Sequence, residues 1–173
     1  MNRNKIPCFI WLIFCILILI PISCGENSIV LSESNQAKIY ASVIKQLYIV
    51  DFHPGNSIGY IMNYTDDSGG TESQILNSTP LSESLQKTVL AALSDIQQNF
   101  KWVGEASEIS DQVISGSGCQ IILGNIHLQK DDSVQVTASL FYGGTGGGGG
   151  TYVLKLINGV WTVTGKIGPS WIS

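Results

Sequence analysis

The chain has 173 residues, with nine Lys and Arg against thirteen Asp and Glu, a net charge of −4 and a pI near 5.0. Arg3 is its only arginine. Beyond residue 3 there is therefore no guanidinium fork for phosphate, and no basic stripe to displace counterions, so nucleic-acid partners, nucleotide substrates and anionic membrane surfaces are disfavoured.

Arg3 and Lys5 precede an apolar run over residues 6–22, which ends in Pro21-Ile22-Ser23-Cys24-Gly25. A short positive region followed by such a run reads as an export signal, to be set aside from fold reasoning. A small residue before a cysteine at the end of the run resembles the lipobox of bacterial lipoprotein precursors, with Pro21 where leucine is usual. The resemblance implies a signal peptide over residues 1–23, a diacylglyceryl group on Cys24, and a membrane partner reached through that lipid on the extracytoplasmic side. The alternative is a single-pass N-terminal anchor, since the apolar run is near the lower limit of about 17 residues for a span.

The processed chain would hold about 150 residues, consistent with one domain. Loss of Arg3 and Lys5 leaves seven basic and thirteen acidic residues, a net charge of −6. Cys8 and Cys15 fall in the removed segment and Cys24 carries lipid, so Cys119 alone remains in the folded part. With one thiol there is no internal disulfide, and a packed core must stabilise the domain.

Residues 24–34 read as the lipidated cysteine and a polar tether, and 35–173 as a single α+β domain. Asn35 is placed to cap a helix over 36 to about 50, in which Ile39, Tyr40, Val43, Ile44, Leu47 and Tyr48 form one apolar stripe for the core. Asp51-Phe52-His53-Pro54-Gly55 ends it. Ile58, Tyr60, Met62 and Tyr64 alternate, predicting a strand over 57–65 and then a turn at Asp66-Asp67-Ser68-Gly69-Gly70. Thr79-Pro80 looks like a helix start, with Thr as cap and Pro first. Leu81, Leu85, Val89, Leu93 and Ile96 extend that helix to about 98. Phe100-Lys101-Trp102-Val103 is a short strand, and 104–118 is the longest loop, pinned as a turn of helix by Ile109, Val113 and Ile114.

An antiparallel meander of four strands follows. The first spans 120–128, with a bulge at Gly124. The turn Lys130-Asp131-Asp132-Ser133 leads to 134–142, where Val134, Val136, Ala138, Leu140 and Tyr142 share one face, with Gln135, Thr137 and Ser139 on the other. Asn158-Gly159 suits a type I′ turn and closes a two-residue hairpin between 152–157 and 160–167. Gly168-Pro169 should break the last strand. Gly143-Gly144-Thr145 and Gly146 to Gly150 read as a flexible hairpin tip, because a phosphate loop would need Lys-Ser/Thr and a helix where Thr151-Tyr152-Val153-Leu154 stands.

Few residues point to chemistry. Asp51 and His53 invite a reading as a base and orienter pair, but they share a face only on extended backbone. Cys119 and His127 would lie about 25 Å apart on one straight strand, too far for a dyad. With two histidines and one remaining thiol, no zinc site or other cofactor is expected. Asp66-Asp67 and Asp131-Asp132 lack the spaced oxygen ligands of a calcium loop and read as solvated turns. Tyr40 and Tyr48 read as core. The glycosylation patterns at Asn63 and Asn77 carry no meaning in a bacterial lipoprotein.

The expected fold is α+β, two amphipathic helices packed on a curved antiparallel sheet that ends in the meander. The element order and the Asn158-Gly159-Val160-Trp161 hairpin are similar to cone-shaped NTF2-like or cystatin-like domains, and Trp171-Ile172-Ser173 resembles the end of uncharacterised bacterial lipoproteins. These resemblances imply no activity. A non-enzymatic envelope module that binds a ligand or partner is the first functional expectation. The second is a small enzyme using Asp51 and His53 at the mouth of the sheet, in which His53 would face a pocket lined by Tyr60, Trp102 or Tyr142. Assembly through an exposed sheet edge is a third.

Overall fold

The computed structural model describes residues 31–55, 57–69, 78–96, 99–144 and 146–172. The expected signal segment, Cys24, most of the expected tether and Asn77 lie outside the described residues. Among those described, no helix is long and apolar enough to cross a membrane.

Helix α1 spans Glu33–Lys45 and opens at Ser32, whose Oγ accepts from the Asn35 backbone N–H at 3.3 Å. Asn35 thus lies inside the first turn rather than at the cap. The apolar stripe is buried as its spacing requires: Ile39, Val43, Ile44 and Leu47 are fully enclosed, each contributing about 1.5–3 kcal/mol. Past Lys45 the helix widens into a π-helical turn over Gln46–Phe52. Its last bond runs from the His53 N–H to Tyr48 O, and His53 sits at φ 48°, in the left-handed region, before Pro54.

The sheet has seven strands: β1 (Ile58–Thr65), β2 (Phe100–Val103), β3 (Gly118–Leu123), β4 (His127–Leu128), β5 (Val134–Tyr142), β6 (Gly146–Ile157) and β7 (Val160–Ile172). Their order is β2-β1-β3-β5-β6-β7, with β4 also paired to β5. From β3 to β7 the pairing is antiparallel, the expected meander. The other end of the sheet differs from the expectation, because β1 is parallel to both β2 and β3. Parallel neighbours need a long crossover, and helix α2 (Glu83–Ala92) supplies it between β1 and β2.

Helix α2 starts at Ser82, whose Oγ accepts from the Leu85 N–H at 3.1 Å. Thr79-Pro80 does not cap it. The Thr79 N–H donates to Thr65 Oγ1, the Leu81 N–H donates to Asn63 O, and Pro80 bridges Tyr64, so the segment is held as an extended edge to β1. Residues 104–117 hold the 3₁₀ turn Ala106–Ile109 and the short helix α3 (Ser110–Ile114), the helical turn expected there.

Helices α1 and α2 cover one face of the sheet, enclosing Ile121, Leu123, Val134, Val136, Leu140, Tyr152 and Leu154. The Asn158-Gly159 turn is present with φ 52° and 79°, as a type I′ hairpin needs. Residues 146–150, expected in a flexible tip, are instead the first part of β6, paired with β5 from Gly146 against Tyr142 onward. Gly143 and Gly144 remain in the turn that precedes it. Within β6, glycine is required by close approach. A Cβ on Gly147 would fall 2.8 Å from Leu140 O, and one on Gly148 2.5 Å from Phe52 Cζ and 2.6 Å from Trp171 O. Strand β7 likewise continues through Gly168-Pro169. The register passes from Thr151 opposite Ile167 to Gly149 opposite Trp171, and the extra β7 residues bulge out.

Candidate functional site

Asp51 lies within the π-helical turn, and His53 caps that turn in the left-handed region. Asp51 points to the sheet, where its carboxylate accepts from Tyr152 Oη at 2.5 Å, Lys166 Nζ at 2.7 Å and Gln46 Nε2 at 3.1 Å. Burial alone would raise this carboxyl, but those hydrogen bonds outweigh it and hold the group below the ordinary carboxylate value. Burial first, then the hydrogen bond to Asp51 and the Asp51 charge, push the Tyr152 phenol upward. Lys166 Nζ also lies 4.9 Å from the centre of the Tyr152 ring. The cluster fastens the end of α1 to β6 and β7. His53 is exposed and shares no hydrogen bond with Asp51.

The other sequence candidates resolve as packing or as turns. Cys119 is fully buried, and burial pushes its thiol up to about 12, which disfavours the reactive thiolate at neutral pH. Tyr40 donates to Gly124 O at 3.3 Å and Tyr48 to Ser57 O, with the Tyr48 ring edge-on to Phe100 at 5.2 Å. Asp131 forms a surface turn with Ser133 and pairs with Lys155. Asp66 departs from the expected solvated turn: it is 3% exposed, and its Oδ1 accepts from the Ser68 N–H and hydroxyl. No group of three or more His, Cys, Asp or Glu that could hold a metal occurs among the described residues.

Asp67 carries an arrangement that its sequence position does not announce. Its Oδ1 accepts from the Asn125 N–H at 2.7 Å, and its Oδ2 from Asn125 Nδ2 at 2.9 Å and His127 Nε2 at 3.3 Å. Asn125 Oδ1 in turn accepts from Thr65 Oγ1 at 2.8 Å. The chain of bonds fixes the 66–69 turn over the outer face of the sheet, opposite the helices. Under that turn lies a cleft of about 350 Å³, lined by Asp67, Ser68, Gly69, Thr137, Thr151, Pro169 and Trp171 among others.

Two further clefts flank the sheet. One, of about 450 Å³, lies between the start of α1, residues 79–85 and Asn125-Ile126. The other, of about 370 Å³, lies between α3 and the 142–146 turn and includes Tyr142. His53 lines none of the three. Tyr60 is buried, and Trp102 Nε1 donates to Gln86 O at 3.0 Å, so neither forms a pocket wall around it. Comparison with family models, curated proteins and solved structures found no match to the chain.

Proposed function

We propose that the protein is an envelope-anchored lipoprotein, held outside the membrane by an acylated Cys24, whose folded part binds a ligand or partner and performs no catalysis of its own. The observation that supports the reading is the state of Asp51. The only carboxylate near His53 in sequence accepts from Tyr152, Lys166 and Gln46 and shares no hydrogen bond with His53, which is exposed and outside the clefts. A general base needs an orienting partner and a concave site for the reacting atoms. The outer-face cleft under the Asp67 turn instead has the fixed polar groups of a binding site.

The anchor is tested by the intact mass of the N-terminal peptide from the membrane fraction of the native cell. A chain beginning at Cys24 with added acyl mass is expected. A chain retaining Met1 or Asn2 would make it a single-pass protein. An unmodified start beyond Cys24 would make it freely secreted. Either result overturns the lipid anchor.

A further inference from the structure

We propose that the outer-face cleft binds a neutral carbohydrate of one or two pyranose rings, which names the ligand class of the binding module and rests on that reading. A pyranose has an apolar C–H face and a rim of hydroxyls, each both donor and acceptor. The cleft offers a counterpart to both. Trp171 lies on β7 opposite Gly149, half-buried, with its ring 5.0 Å from that of Phe141 and tilted by 37°. Backed in this way, it is a fixed aromatic wall. Ala138 and Gly150 also line the cleft, beside the Thr137 and Thr151 side chains.

The polar groups have capacity to spare. Thr137 and Thr151 lie 3.0 Å apart, Oγ1 to Oγ1, and share one hydrogen. The other hydroxyl hydrogen is left to donate. Asp67 accepts three hydrogen bonds among the described residues, against about four lone-pair directions on a carboxylate. Its orientation is already set by Asn125, so sugar binding would not have to order it. The larger cleft beside α1 differs in this respect. There Gln36 is turned onto Leu31 O, Tyr40 onto Gly124 O and Thr65 onto Asn125.

Charge narrows the class. Asp67 is the only ionisable side chain lining the cleft among the described residues, and lysines 155 and 166, on the adjoining strands, are paired with Asp131 and Asp51. An anionic ligand would meet a carboxylate and no cation. A quaternary ammonium needs an aromatic cage, and Trp171 is the one aromatic residue lining this cleft among the described residues. A volume of about 350 Å³ is at the small end for ligand sites, which suits a mono- or disaccharide.

The test uses the full-length protein in a detergent without a sugar headgroup. Cellobiose, maltose and diacetylchitobiose are titrated by calorimetry and by saturation-transfer NMR, with choline as competitor. At least one disaccharide should bind, its ring C–H protons receiving the strongest saturation. Trp171→Ala should weaken binding about tenfold or more, and Trp171→Phe should retain most of it. Thr151→Val should weaken it without loss of fold, and Ile114→Ser, in another cleft, should leave it unchanged. The inference is overturned if none of the sugars binds at millimolar concentration, if choline displaces them, or if folded Trp171→Ala and Thr151→Val both bind as the natural chain does. Absence of sugar binding by a chain acylated at Cys24 removes this inference and leaves the anchored module standing. Sugar that is bound through Trp171 and then cleaved keeps the site and removes the non-enzymatic reading.

Discussion

Gly148 and Gly165 occupy neighbouring strands, both outside the left-handed region, yet the same substitution should act on them with opposite sign. At Gly148 a methyl group would meet Phe52 Cζ at 2.5 Å and Trp171 O at 2.6 Å. One is a ring packed over β6 and the other is backbone of the paired strand, so neither can swing aside. Overpacking of this kind costs about 1–3 kcal/mol. Reduced freedom of the unfolded chain returns about 0.4–1 kcal/mol. The net for Gly148→Ala is a loss of about 1–2 kcal/mol. Gly165 has nothing within 4 Å of the added carbon, so Gly165→Ala keeps only the gain. For a chain of this size about 1 kcal/mol moves Tm by roughly 2–4 °C, so the two variants should separate clearly in a melt or in urea. Trp161, 2% exposed, reports the transition by fluorescence. If both variants are stabilised alike, residues 146–150 behave as a flexible tip, and the strand with its close contacts to Phe52 and β7 is refuted.

Three further outcomes follow from buried polar groups. Asp51 is held below its ordinary value in the folded chain, so its stabilisation is complete above the unfolded value near 4 and fades as pH falls through the lower folded value. Asp51→Asn should cost about 1–2 kcal/mol at pH 7 in urea unfolding, and the gap should close below about pH 4. A gap independent of pH would contradict the assignment. Ser139 Oγ is fully buried with no partner among the described residues, so Ser139→Ala should raise stability by about 1 kcal/mol, and a clear loss would mean that the hydroxyl has a partner. The Cys119 thiol, pushed up to about 12 by burial, should be alkylated at pH 8 only as fast as the domain opens. Rapid labelling of the Cys119 peptide in native buffer, read by mass spectrometry, would show that the site is accessible.

The legible part of the fold is the part written in local pattern. Alternation over 134–142 and the Asn158-Gly159 turn fix two strand pairings because each depends on neighbours in sequence. The helix starts were each displaced by three residues. Ser32 caps α1 ahead of Asn35, and at α2 the attraction of Thr79-Pro80 as a cap lost to hydrogen bonds with Thr65 and Asn63, groups on another element. The parallel pairing of β1 and β2 had a signal that went unused, since a strand, an amphipathic helix and a second strand in succession are the pattern of a parallel crossover. The glycines at 146–150 had none. A run without side chains looks alike whether it is loose or tightly covered, and only Phe52, Leu140 and Trp171 distinguish the cases.

The same asymmetry governs the candidate site. Asp51 and His53 attract notice because they are close in sequence, but the π-helical turn sends Asp51 to Tyr152, a partner at a sequence separation of 101. The outer-face cleft is assembled the opposite way. Asp67, Thr137, Thr151 and Trp171 come from four segments, and none is unusual in its own surroundings. One feature of the cleft was nonetheless readable in advance. Thr137 and Ser139 face away from the apolar side of β5, and the register sets them opposite Thr151 and Gly149, with Trp171 opposite Gly149 in turn. Small side chains and bare backbone along that row leave a depression, with Ser139 buried under the 66–69 turn and Trp171 lining one side. Finding it required the bulge at 168–170, which shifts Trp171 into line with Gly149. A strand ending at Gly168-Pro169 would have left that tryptophan outside the sheet and the cleft without its wall.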